Sequence, residues 1–76
     1  MTTFPDMQQA ELEYAQLAYG HIASAHEGYA ILLEEVVELQ AEVFKQPQIR
    51  SLDRMLKELI QIAAMAQRMA EDLKLC

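Results

Sequence analysis

The sequence predicts an all-α domain of three helices, with the second and third forming an antiparallel hairpin and the whole assembling into a helix-bundle dimer or tetramer. Three observations carry that expectation. Apolar residues recur at steps of three and four through most of the 76 residues. With two glycines, two prolines and no tryptophan, the chain has few turn formers. Its hydrophobic fraction, 53%, is more than so short a chain can hide in its own interior, so apolar faces are expected to be shared between subunits. No internal repeat or composition break divides the chain, and residues 1–76 read as one domain.

The first helix is expected over roughly residues 4–19. Thr3 can cap it, Pro5 fits a first turn, and Asp6 favours the positive end of the helix dipole. Met7, Ala10, Tyr14, Leu17 and Ala18 supply its apolar row, and Gly20 is a stop able to take the left-handed conformation. Ser24-Ala25-His26-Glu27 then reads as a capping box. It opens a second helix over roughly 25–45, with Leu32, Val36, Leu39 and Val43 in register and Leu33 and Phe44 widening the stripe. Pro47 disfavours helix at Gln46.

After the loop Gln46–Arg50, Ser51 caps a third helix over roughly 51–74, with Asp53 in its first turn. Leu52, Leu56, Leu59, Ala63, Ala66, Ala70 and Leu73 form one row. Met55, Ile62, Met69 and Cys76 form a second row, of which Met55, Ile62, Met69 and their neighbours are expected at subunit contacts. Two rows make a face wide enough for more than one neighbour. The loop is short, so the second and third helices should pack antiparallel.

The formal charge is −6, from 12 acidic and 6 basic residues. That argues against binding a nucleic-acid backbone, which needs clustered cations. No basic segment followed by a long apolar run marks a leader or a membrane span. The single cysteine, Cys76, has no internal partner, and a reducing, cytoplasmic setting is expected.

The residues that can carry chemistry are carboxylates. Glu35 and Glu38 are spaced i, i+3 on the second helix, and Glu58 and Gln61 share that spacing on the third, so each pair lies on one helix face. In a hairpin both pairs can look into one space. Three carboxylates and an amide there suit a hard cation such as Mg²⁺, or Mn²⁺ in its place. The plainer reading of Glu34, Glu35, Glu38 and Glu42 is a solvated acidic helix face. His21 and His26 lack ligand spacing with the carboxylates and read as surface or capping residues. Tyr14, Tyr19 and Tyr29 read as packing at the core edge.

Glu34-Glu35-Val36-Val37-Glu38, followed after a short loop by Glu58, resembles the MazG-like family of all-α nucleoside triphosphate pyrophosphohydrolases. Its marks are E-E-x-x-E on one helix and E-x-x-D on the next. The resemblance spans roughly residues 26–73. His26-Glu27-Gly28-Tyr29-Ala30 and the segment Glu58–Ala66 look like a small bacterial and phage-type subgroup. The resemblance implies Mg²⁺ held at the positions of Glu35, Glu38, Glu58 and Gln61. It implies Glu34 as an outer ligand or as base for an attacking water, and a nucleoside triphosphate cleaved to monophosphate and pyrophosphate. The chain departs from the pattern at Gln61, where the family has Asp. Arg50, Arg54, Lys57 and Lys45 are the cations available to clamp phosphates, from this chain or another. Two further readings stay open: a MazG-like scaffold that binds a nucleotide or protein without catalysis, and a plain helical oligomerisation module.

Overall fold

The computed structural model describes residues 1–76 and contains three α-helices, one short 3-10 turn and no strand. Helix α1 runs Phe4–Ala18, α2 Ala25–Val43 and α3 Leu52–Asp72, with the 3-10 turn at Pro47–Ile49 inside the α2–α3 connection. Each helix begins on a hydroxyl cap. The Thr3 hydroxyl accepts from the Asp6 amide while the Asp6 carboxylate accepts from the Thr3 amide, a reciprocal box. Ser24 accepts from the Glu27 amide, but the Glu27 carboxylate reaches one residue further back, to the Ala23 amide. Ser51 accepts from the Arg54 amide.

The helix ends differ from the sequence expectation, each for a local reason. Gly20 does not take a left-handed conformation. The chain leaves α1 by extending at Tyr19 (φ −127°, ψ 159°), and the Gly20 carbonyl is used instead as an acceptor for Arg68. Helix α2 stops two residues before Lys45; Pro47, which has no N–H, leaves the Val43 carbonyl without an i+4 donor, and Arg50 donates to it instead. At the end of α3, Lys74 adopts φ 58° and the Leu75 amide bonds the Ala70 carbonyl, a Schellman-type stop made without glycine.

Helix α3 is the central element. Helices α1 and α2 each pack on it and make no close backbone approach to one another. The core is small: Leu12 and Ala15 of α1 meet Ala64 and Met65 of α3, with Ile31 and Leu32 of α2 against them. On α1 the expected row was misplaced. Tyr14 and Leu17 are 60% and 90% exposed, while Leu12 and Ala15 are buried. The true seam includes Gln8, whose amide donates to Gln67 of α3 at 2.8 Å, and a polar residue in the seam hides its period. On α3, Leu52, Leu56 and Leu59 lie exposed, and the buried positions are Ala64, Met65 and Arg68. Met69 packs within the chain: a Cβ on Gly28 of α2 would come within 2.8 Å of its side chain. No helix is long and apolar enough to cross a membrane.

Candidate metal centre

Glu35 of α2 stands one turn before Glu38, and on α3 Glu58 stands one turn before Gln61. The packing of α2 on α3 brings these turns together. One oxygen from each of Glu35, Glu38 and Glu58 lies within 4.8 Å of the others. Gln61 belongs to the same group. With its amide turned to satisfy its neighbours, Nε2 donates to Glu35 Oε2 at 2.7 Å and to Glu58 Oε2 at 3.1 Å. It thus bridges carboxylates from both helices through its nitrogen, and would have to turn its oxygen inward to act as a ligand.

The electrostatics follow from that crowding. Burial raises the Glu35 carboxyl from its ordinary value near 4.5 to about 7, reinforced by the neighbouring charges of Glu38 and Glu58. Burial also raises Glu58, with Glu38 the next cause. Like charges held this closely are stable only with a proton, a donor or a cation between them. A donor set made wholly of oxygens fits a hard divalent ion, so the residues present suit Mg²⁺ or Mn²⁺.

Glu34 is not part of the cluster. It is exposed and, with Glu35, borders a neighbouring cavity of about 420 Å³. Tyr19, Gly20 and His21 from the α1–α2 connection, Glu27 and Ile31 of α2, and Met65 and Arg68 of α3 complete its wall. The connection is pinned by α3. The buried Arg68 guanidinium donates to the Gly20 carbonyl and lies 5.8 Å from the Tyr19 ring, and the Asp72 carboxylate accepts from the Ile22 amide at 2.8 Å. His21 is a surface residue, 3.7 Å from Asp72. Tyr14, Tyr19 and Tyr29 are each about 60% exposed, further out than core-edge packing implies.

Glu42 corrects the solvated-face reading at its own position. It is 3% exposed, accepts from the Ser51 amide at 2.8 Å and from Lys45 Nζ at 3.0 Å, and so ties the end of α2 to the start of α3. The Ser51 amide, then Lys45, holds its carboxyl below the ordinary value. Sequence reasoning missed both Glu42 and Arg68 because a charge at a core position carries the same periodic signature as a charge outside. Arg68 falls in the seam beside Ala64 and Met65, which is the one signal that marks it.

Compared with known protein families, curated proteins and solved structures, the chain matches none.

Proposed function

We propose that the chain is a MazG-like, Mg²⁺-dependent nucleoside triphosphate pyrophosphohydrolase that works as a dimer or tetramer. The observation that carries this reading is the convergence of Glu35, Glu38 and Glu58 from two helices, with a proton affinity raised at Glu35 and Glu58. The three carboxylates come from both sides of the α2–α3 seam rather than from the solvated face of one helix. Glu35, Glu38 and Glu58 would hold the ion, with Gln61 as a neutral fourth neighbour. When bound, Mg²⁺ would neutralise phosphate charge and polarise the phosphoryl group, which is most of what phosphoryl transfer requires.

The chain's own residues supply the rest. The cavity bordered by Glu34 and Glu35 is large enough to take a nucleoside, and Tyr19 offers it an aromatic wall. Glu34 accepts a proton from the attacking water. The water oxygen joins phosphorus, and the bond between monophosphate and pyrophosphate breaks.

Helices α2 and α3 form an antiparallel hairpin. As α2 is followed backwards, Glu42, Glu35 and Gly28 meet Ser51, Gln61 and Met69 in ascending order. A second copy seats on the outer apolar stripes, Leu33, Val36 and Val37 of α2 with Leu52, Leu56 and Leu59 of α3, all at least 40% exposed. The accessible area, 5469 Å², exceeds by about 700 Å² what a folded monomer of 8.7 kDa presents. That excess is close to the ~800 Å² each partner buries in a standard interface.

The test is pyrophosphate release from a panel of nucleoside triphosphates with Mg²⁺. Release from at least one, lost in Glu58→Gln, is expected; no release from any contradicts catalysis. The Gln61 bridge favours one second reading, a MazG-like scaffold that binds a nucleotide without cleaving it. That outcome would show as Mg²⁺-dependent nucleotide binding with no pyrophosphate formed.

A further inference from the structure

Gln61 is the one member of the cluster that carries N–H donors, and it stands where the MazG-like motif has Asp. Its Nε2 donates to Glu35 Oε2 at 2.7 Å and to Glu58 Oε2 at 3.1 Å, one bond for each of its two hydrogens. Bonds of this kind to carboxylates are charge-assisted, and they engage oxygens that a cation would also need. An N–H donor and a cation therefore compete for the same place between α2 and α3. An aspartate at this position has no hydrogen to donate once ionised and could not fill that place. The amide also has somewhere else to go. On its other side the half-buried Gln61 borders a depression of about 320 Å³ between α1 and α3, walled by Met7 and Glu11 of α1 and Leu56, Lys57 and Ile60 of α3. Glu11 brings an acceptor to that depression, and Lys57, one turn before Gln61, brings a donor, so an amide turned outward finds partners for both its atoms.

We propose that Gln61 is an internal occupant of the carboxylate centre, a tethered donor that a divalent cation displaces toward α1, rather than a fourth ligand of that cation. The inference rests on the reading of Glu35, Glu38 and Glu58 as a metal centre. On that reading Gln61 sets the threshold for loading, since the ion enters only where it outcompetes the amide. The two roles open to Gln61 differ in sign. Removing a ligand weakens the hold on the ion, whereas removing a competitor strengthens it.

Mg²⁺ titrated calorimetrically into the full chain at pH 8, above the Glu35 titration, reads that sign. Gln61→Met keeps most of the side-chain volume without its donors, and Gln61→Ala removes both. Each should bind Mg²⁺ about tenfold more tightly than the native chain. Each should also melt lower than the native chain when no divalent ion is present. A second measurement needs no variant to fold. In the native chain, saturation with Mg²⁺ should make the Gln61 side-chain NH2 protons exchange faster with water, while the side-chain carbonyl carbon keeps its chemical shift. Mg²⁺ affinity in Gln61→Met that is equal to or weaker than in the native chain overturns the occupant and leaves the metal centre standing. A downfield move of the Gln61 carbonyl carbon with Mg²⁺, the mark of an oxygen bound to the ion, does the same. Uptake of Mg²⁺ by the variants but not by the native chain supports the occupant. Uptake by none of them overturns the metal centre with it.

Discussion

At the scale of single residues, the site is defined by what Glu35 and Glu58 do with a proton. The Glu35 carboxyl titrates near 7 in the folded chain against an ordinary 4.5, and Glu58 is shifted in the same direction. The folded state therefore keeps protons that the unfolded chain has already released. Stability without divalent ions should fall as pH rises from about 4.5 to about 7 and level off above. Glu42 acts in a separate window, since its lowered carboxyl costs stability only as pH falls below the ordinary carboxylate range. Thermal melts in a chelating buffer across pH 5–8 check this, and Glu35→Gln should flatten the decline. Gln61 makes a second expectation. Its amide bridges Glu35 and Glu58, and replacing it with a carboxylate removes the bridge and adds a charge. Gln61→Asp should melt lower than the native chain without Mg²⁺ and gain more from Mg²⁺. An unchanged response would mean that position 61 does not face the ion. The i, i+3 pairs were readable in the sequence because helix geometry fixes which side chains share a face. Which face of Gln61 meets the carboxylates was not, because an amide presents a donor and an acceptor at nearly the same place.

At the scale of elements, capping residues and periodicity located all three helices, since Thr3, Ser24 and Ser51 each bond an amide three residues on. The helix faces were less legible. Helix α3 has two apolar rows and a buried arginine, and the sequence does not reveal that the leucine row Leu52–Leu56–Leu59 faces outward while Ala64, Met65 and Arg68 face inward. The Arg68 side chain holds the α1–α2 connection to α3 through Gly20, beside Asp72. Arg68→Met keeps the volume but strands the Gly20 carbonyl and leaves the mostly buried Asp72 carboxylate with the Ile22 amide but without the guanidinium beside it. It should destabilise the chain by about 2–4 kcal/mol in chemical denaturation. The same variant should loosen the wall of the Tyr19 cavity, seen as faster amide exchange at Gly20–Ile22. A loss below about 0.5 kcal/mol would show that Arg68 is an ornament of the seam rather than its anchor.

At the scale of the whole molecule, only eight residues are buried, and the radius of gyration, 13.3 Å, exceeds the ~11 Å of a compact chain of this length. Both follow from two helices packing on α3 without packing on each other. The high hydrophobic fraction predicts shared apolar faces, but not which row is left open to share. The Met55–Ile62–Met69 row is half-buried within the chain, with Met69 against Gly28, and the leucine row is the one left open. Leu56→Glu with Leu59→Lys should turn a dimer or tetramer into a monomer in sedimentation at micromolar concentration. A native chain that sediments as a monomer would contradict the assembly. The proposed metal centre would also act on the whole fold, because Glu35, Glu38 and Glu58 come from both α2 and α3 and an ion bound only by the folded state stabilises everything. The most direct measurement is the melting temperature of the native chain at neutral pH, with and without millimolar Mg²⁺. A rise of several degrees that disappears in Glu38→Gln and in Glu58→Gln is the result expected. Identical melting curves with and without Mg²⁺ and Mn²⁺, in the native chain and in Gln61→Asp, would mean that Glu35, Glu38 and Glu58 hold protons rather than metal.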